Sequence, residues 1–195
     1  MCPLHLACDS AADDLLDHDP LALVLGMMLD QQVPMEKAFR GPYDIRERLG
    51  HDLDAGEIAA MDPERLIEVF SQRPAIHRFP GAMAKRAQAL CALVAEKYDG
   101  DAEAIWRDAT DGKDALKRLS ELPGFGEQKA QIFLALLGKQ RGVKAKGWRE
   151  AAGPFGETGS FKSVADIVDD ASLGKVRDYK KHMKAAAKAK ASAAD

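Results

Sequence analysis

Apolar residues recur every three or four positions along most of the chain, which is the spacing of amphipathic helices. No long stretch shows the alternating Val, Ile and Thr residues that are typical of strands. The pattern predicts helices over residues 20–30, 35–39, 82–98, 114–119, 127–137 and 173–187, with short helical pieces between 43 and 69. The segments 73–81 and 142–159, which contain Pro and Gly, are expected to be loops. We therefore expect an all-α protein.

Several helix ends carry their own sequence signals. Pro20 suits the first turn of a helix, and Asp62 is a natural N-cap. Asp99-Gly100 and Gly138 are expected to end the helices that precede them. Ser163-Val-Ala-Asp166 has the spacing of a capping box, so a short helix is predicted to begin there.

The net charge of −3 argues against a protein that coats nucleic acid through bulk positive charge. The charge is nevertheless segregated, because acidic residues crowd the first third of the chain and basic residues crowd the end. The basic residues of the C-terminal stretch are Lys175, Arg177, Lys180, Lys181, Lys184, Lys188 and Lys190. A local basic surface that binds a negatively charged partner is therefore compatible with the negative net charge.

The cysteines Cys2, Cys8 and Cys91 lack the spacing of a zinc site, so we expect neither a metal ion nor a cofactor. No apolar run approaches the roughly 20 residues of a membrane span. The chain also begins without a signal peptide. We therefore expect a cytoplasmic protein that does not contact membranes.

The segment Leu122-Pro-Gly-Phe-Gly126 joins two predicted helices. Its glycines permit a tight turn, and Gly124 and Gly126 leave backbone amides uncovered at the start of the second helix. The helix dipole is positive there, so a phosphate would satisfy both the amides and the dipole. Lys129 in the first turn either adds charge or is simply solvated. The alternative is an ordinary turn between helices that Phe125 anchors.

Over residues 122–130 the chain resembles the helix-hairpin-helix, glycine/proline-rich-loop and aspartate (HhH-GPD) superfamily of base-excision DNA glycosylases, which includes endonuclease III. Two other segments match in the same order. Leu29-Asp-Gln-Gln-Val-Pro34 resembles the turn from which the family inserts a polar side chain beside the flipped nucleotide. By this resemblance Gln32 takes that role, with Gln31 as the alternative.

The third segment, Phe79-Pro-Gly-Ala-Met-Ala-Lys85-Arg86, resembles the loop and helix start that help to line the damage pocket. The resemblance thus implies that the DNA-binding residues are Gln31, Gln32, Lys85, Arg86, Leu122, Gly124, Phe125, Gly126, Gln128 and Lys129. It implies that Met83 contributes to the pocket. Trp148 is expected either to stack on an extruded base there or to plug the core between the lobes. His77 and Arg78, in the loop before this segment, are expected either to contact the DNA backbone or to be an exposed pair without a role.

The family's fold is two helical lobes with DNA between them. The resemblance places a core lobe at 20–140, with the hairpin element at about 114–137. Residues 1–19 and 141–190 would complete the second lobe, and 191–195 would be a frayed tail. The expected partner is double-stranded DNA, bound by a monomer. Every cysteine lies before residue 92, so the iron-sulfur cluster of some relatives is not expected.

The family's catalytic aspartate would fall at 146–148, where this chain has Lys-Gly-Trp. Glu150 is the nearest carboxylate and becomes the candidate, since cleavage of a glycosidic bond needs a negative charge beside the sugar. The acids 166, 169 and 170 come too late unless the loop folds back. Gln128 occupies the position of the family's lyase lysine, so no lyase activity is expected.

Three functions remain open on the sequence. The first is a monofunctional glycosylase that hydrolyses the N-glycosidic bond of a damaged or mismatched base. The second is a glycosylase-like protein without hydrolysis that senses damaged or bent DNA. The third is a small helical protein whose hairpin serves contacts with proteins. The three segments, which match the family in order, favour the enzyme. Because the usual aspartate is absent, the enzyme is favoured over the sensor by only a small margin.

Overall fold

A computed structural model describes residues 3–192, and within this range the chain forms helices and no strand. The expectation of an all-α protein is confirmed. The α-helices are α1 Ser10–His18, α2 Pro20–Leu29, α3 Met35–Leu49, α4 Ala55–Ala60, α5 Pro63–Ser71, α6 Pro80–Tyr98, α7 Ala104–Arg107, α8 Gly112–Ser120, α9 Glu127–Gln140, α10 Trp148–Ala151 and α11 Asp170–Ser192. One-turn 3-10 helices lie at Gly153–Phe155 and Val164–Asp166. Cys2, the tail from 193 onward, and the side chains of Lys188 and Lys190 lie outside the described part.

Several of the predicted helix ends are confirmed. Pro20 lies in the first turn of α2, and Asp62 caps α5 by accepting a hydrogen bond of 3.0 Å from the amide of Arg65. Asp99 ends α6 in a left-handed conformation. The capping box at Ser163 and Asp166 forms as predicted.

Gly138, which the sequence interpreted as a helix end, is a packing site instead, and Gly41 within α3 is another. The helix predicted over 35–39 continues as α3 to Leu49, and a Cβ at Gly41 would lie 2.5 Å from Leu29 Cδ1 on α2. Gly138 does not end α9, because the Trp148 ring lies against it and a Cβ there would be 2.5 Å from ring atoms. At both positions a side chain of another helix comes so close that a Cβ would collide with it, and this close approach, and not a turn, explains why glycine is present.

The core centres on α2, whose residues 21–29 are all buried. α2 packs with α1 and α3, and α6 packs with α4 and α5. α9 packs with α8, α10 and the turn Val164–Asp166, and that turn contacts α11. The segment 142–159, which was predicted to be a loop, contains the short helix α10. None of the described helices combines the length and the apolar character needed to span a bilayer.

Candidate nucleic-acid interface

The segment 122–126 forms a tight turn between α8 and α9. Gly124 adopts a φ of 89°, and the amide of Phe125 donates a hydrogen bond of 2.9 Å to the carbonyl of Leu122. Leu122 and Phe125 are buried, and the Phe125 ring packs edge-on against Phe133 with centroids 5.7 Å apart. Buried apolar side chains thus hold the turn in place, and Gly126 at its end is exposed.

The N-terminal end of α9 has no side-chain cap. Its N-cap is Gly126, and the first backbone bond runs from the amide of Ala130 to the Gly126 carbonyl. In the described part of the chain, the amides of residues 127–129 therefore have no partner. Five other helices are capped by the aspartates Asp9, Asp19, Asp54, Asp62 and Asp111. A Cβ at Gly126 would meet nothing within 4 Å, and Gly126, Glu127 and Gln128 are exposed, so the start of α9 is open to the solvent.

The three matched segments lie together in the structure. A Cβ at Gly124 would be 2.6 Å from Arg86 Cδ and 3.0 Å from Met28 Cγ, so the hairpin packs directly on α6 and α2. Arg86 Nη1 donates to Gln31 Oε1 at 3.2 Å. Gln31 Nε2 in turn donates to the Met28 carbonyl at 3.0 Å and lies 3.4 Å from Met83 Sδ. Residues separated by up to a hundred positions thus form one surface.

The His77 ring connects the loop at Phe79 to the turn at Gln31 through two hydrogen bonds. It is buried and not exposed, which corrects the sequence interpretation. Its Nδ1 accepts from the Phe79 amide at 3.1 Å, so Nε2 carries the proton and donates to the Gln31 carbonyl at 2.7 Å. Burial lowers the pKa of His77, which keeps the ring neutral. Beyond the presence of a histidine near the matched loop, no local pattern indicates this role.

Phe79 is an exposed aromatic residue that the sequence did not assign. Its side chain is 44% exposed, and the Arg78 guanidinium lies 4.8 Å from the ring centroid. Its amide is the group that fixes the His77 ring. A large exposed aromatic ring beside a cationic group can contact both bases and phosphates.

Lys129 does not point toward the uncapped amides. Its Nζ donates to the Met28 carbonyl at 3.0 Å, at the C-terminal end of α2, where the helix dipole is negative. Burial lowers the pKa of Lys129 to about 8, and Asp30 opposes that shift. Lys129 therefore links α9 to α2 through this hydrogen bond, and it is not a solvated lysine.

Gln32 adopts a left-handed φ of 55° and is exposed, whereas Gln31 is partly buried. For a residue other than glycine, such a conformation costs about 1 kcal/mol or more. Lys85 and Gln128 are also exposed, on the second turn of α6 and the first turn of α9. Of the two glutamines, Gln32 is thus the one free to reach a ligand.

The structure does not bring Trp148 or Glu150 to this surface. Trp148 lies on Gly138, which is twelve residues after Gly126 and therefore about 18 Å further along α9. Arg149 covers the Trp148 ring at 4.4 Å. Glu150 is exposed on α10, which packs against α8 and α9. Trp148 is thus a packing residue at the opposite end of α9 from Met83.

The late part of the chain folds back toward α2. A cavity of about 360 Å³ is lined by Asp30, by Val33 and Met35, and by residues of α11 that include Val176 and Lys180. The late aspartates are engaged elsewhere. Asp166 pairs with Lys139 at 2.5 Å, Asp169 bonds to Ser172, and Asp170 lies 2.9 Å from His5 Nε2. Asp30 and Glu36 are the carboxylates that line this cavity, and Asp30 belongs to the matched segment 29–34.

Comparison of the chain with protein-family models, with curated proteins and with solved structures gives no match.

Proposed function

We propose that this protein binds double-stranded DNA and acts in base-excision repair as a monofunctional DNA glycosylase of the HhH-GPD type. One observation carries the proposal. The segments 29–34, 79–86 and 122–130, which resemble that family in order, pack against one another through Gly124, Arg86 and Gln31. A pure turn between helices would not require this convergence.

Each part of the surface has a role in the proposal. The uncapped amides of residues 127–129 receive a backbone phosphate, because unpaired amides and a positive dipole both favour an anion. Gln32 enters the duplex beside the extruded nucleotide, while Gln31 is held by Arg86 and positions the turn. By the resemblance Met83 contributes to the base pocket, and the exposed Phe79 ring offers a surface on which a base can stack. The lysines of α11 add affinity that depends on salt.

The second candidate is a sensor that binds damaged or bent DNA without hydrolysis. The position of Glu150 favours it, because this glutamate lies on α10, away from the convergent segments. A protein that only binds still needs the hairpin and Gln32. It does not need a carboxylate beside the sugar.

A cleavage screen separates the two candidates. Labelled duplexes that contain uracil, alkylated, oxidised or mismatched bases are incubated with the protein, and abasic products are cleaved with alkali. The glycosylase proposal expects strand scission on at least one duplex after alkali and none before it, since no lyase is proposed. Tight binding to one duplex, with scission of none, would favour the sensor.

Gln32→Ala is the matched variant for this screen, and Gln72→Ala is its control. Gln72 is an exposed glutamine at the end of α5, outside the three segments. We expect Gln32→Ala to lose at least about tenfold in cleavage or in lesion affinity, equivalent to about 1.4 kcal/mol. Equal losses in both variants would show that the turn at 29–34 has no special contact with DNA.

A further inference from the structure

Asp30 is an acid at the candidate interface that has no bonded partner. It directly follows α2 and precedes Gln31, and its side chain is only partly exposed. In the described part of the chain its carboxylate receives neither a hydrogen bond nor an ion pair. The shifts in its pKa come from burial and from charges at a distance.

Other acids with little exposure are all bonded. Asp13 accepts from the amides of Leu6 and Ala7 at 2.9 and 2.8 Å. Asp17 pairs with Arg141 at 2.5 Å. A desolvated carboxylate without such bonds costs stability, and perturbed acids of this kind cluster at functional sites. Asp30 therefore differs from the structural acids of this protein.

The cavity beside Asp30 can hold a small organic group. Its volume of about 360 Å³ lies within the range of about 300 to 1,000 Å³ for small-molecule sites. Val33, Leu173 and Val176 give it apolar walls, and Asp30 and Lys180 place opposite charges on its rim. Val33 and Pro34 directly follow Gln32 and line the cavity, so the turn that carries Gln32 also forms part of the cavity wall.

The charges around Asp30 come from three helices. Burial raises its pKa, and Glu36 of α3 raises it further. Lys180 of α11 and Lys129 of α9 oppose the shift. Arg177 also lines the cavity, but it pairs with Glu36. The two lysines favour the ionised carboxylate and do not pair with it at salt-bridge distance.

We propose that Asp30 is the carboxylate that acts on the deoxyribose of the extruded nucleotide, and this inference rests on the proposed glycosylase function. Water forms a bond to C1′ while the bond from C1′ to the base nitrogen breaks, and the electron pair leaves with the base. The Asp30 carboxylate stabilises the positive charge that develops on the sugar and accepts the proton of the water. That proton passes to the leaving base, so water is added across the broken bond.

A charged abasic analogue tests this role without turnover. One duplex carries a pyrrolidine abasic analogue, whose ring nitrogen is positive like the transition state, and a second duplex carries the neutral tetrahydrofuran analogue. The wild-type protein should bind the pyrrolidine duplex at least about tenfold more tightly, equivalent to about 1.4 kcal/mol. Asp30→Asn should reduce this ratio to about one and leave the affinity for tetrahydrofuran unchanged.

Asp14→Asn is the matched control, because Asp14 is an exposed acid of α1 and its loss removes the same charge. It should retain the wild-type ratio. If Asp30→Asn also retains the ratio, the assignment of Asp30 is wrong while DNA binding stands. If the wild-type protein binds both duplexes equally, the assignment is again wrong and the sensor is favoured. If the protein binds neither duplex, the proposed function itself fails, and the role of Asp30 fails with it.

Discussion

Replacing Gly126 by aspartate separates the stability of α9 from its proposed grip on phosphate. Gly126 is the N-cap of α9 with a φ of −87°, and a Cβ there meets nothing within 4 Å, so the new side chain fits without strain. An aspartate at an N-cap bonds to the open amides, which is worth a few tenths of a kcal/mol over glycine. The helix dipole adds about 0.3–1 kcal/mol. We therefore expect Gly126→Asp to unfold at slightly higher urea concentration.

The same substitution should weaken DNA binding strongly. The carboxylate occupies the amides and repels the phosphate, and two unit charges 4 Å apart near a protein surface interact by up to about 4 kcal/mol. Allowing for solvent relaxation, we expect a loss of about 2–3 kcal/mol, or roughly 30- to 150-fold in Kd. The slope of log affinity against log salt should fall by about one, as for one lost phosphate contact.

Fluorescence anisotropy with a labelled duplex at several salt concentrations measures both effects, and Gly126→Ala is the matched control. Alanine fits the same open space without a charge, so its Kd should stay within about threefold of wild type. Wild-type affinity in Gly126→Asp would refute the phosphate contact. Equal weakening in both variants would show that the loss is steric and does not involve the amides.

Three further variants test the surroundings of the hairpin. Gly124→Ala should lower the free energy of unfolding in urea by about 1–3 kcal/mol, because φ is 89° and the new Cβ would meet Arg86, and unchanged stability would contradict this packing. His77 has a folded pKa below its unfolded value of 6.5, so thermal stability should fall as the pH drops below about 6.5, and His77→Phe should lose this part of the pH dependence while the other histidines titrate as before. A wild-type profile in His77→Phe would show that His77 is not buried in its neutral form. Trp148→Ala should cost about 2–3 kcal/mol, since its ring fills the space over Gly138, yet leave duplex affinity within about twofold, and a large loss of affinity would place Trp148 in the interface.

The local signals of the sequence were sufficient for much of the secondary structure. Asp62, Asp99 and the capping box at Ser163 act within a single turn, so the residues that decide these helix ends are adjacent in the chain. The hairpin has the same local character. Helix α1 was missed, although Asp9 caps it by the same mechanism, because the acidic first segment was interpreted by its charge alone.

The prediction that Gly138 ends a helix was wrong because the reason for a glycine at this position is tertiary. Gly41 and Gly138 occur within continuous helices because Leu29 and Trp148 approach them. Sequence alone does not distinguish a glycine that ends a helix from one that admits a neighbour. The count from the hairpin to residues 146–148 likewise assumed a loop of ordinary length, whereas α10 packs there against α8 and α9.

The sequence by itself determined that the chain is helical and that the turn at 122–126 leaves amides uncovered, since both follow from neighbours within a few residues. Only the tertiary structure decided which side chains surround that turn. Lys129 lies against α2, and Glu150 lies on α10. Asp30 lines a cavity together with residues of α11 that follow it by more than a hundred positions. Burial and charge at a site depend on what packs there, and packing between such distant segments leaves no local pattern.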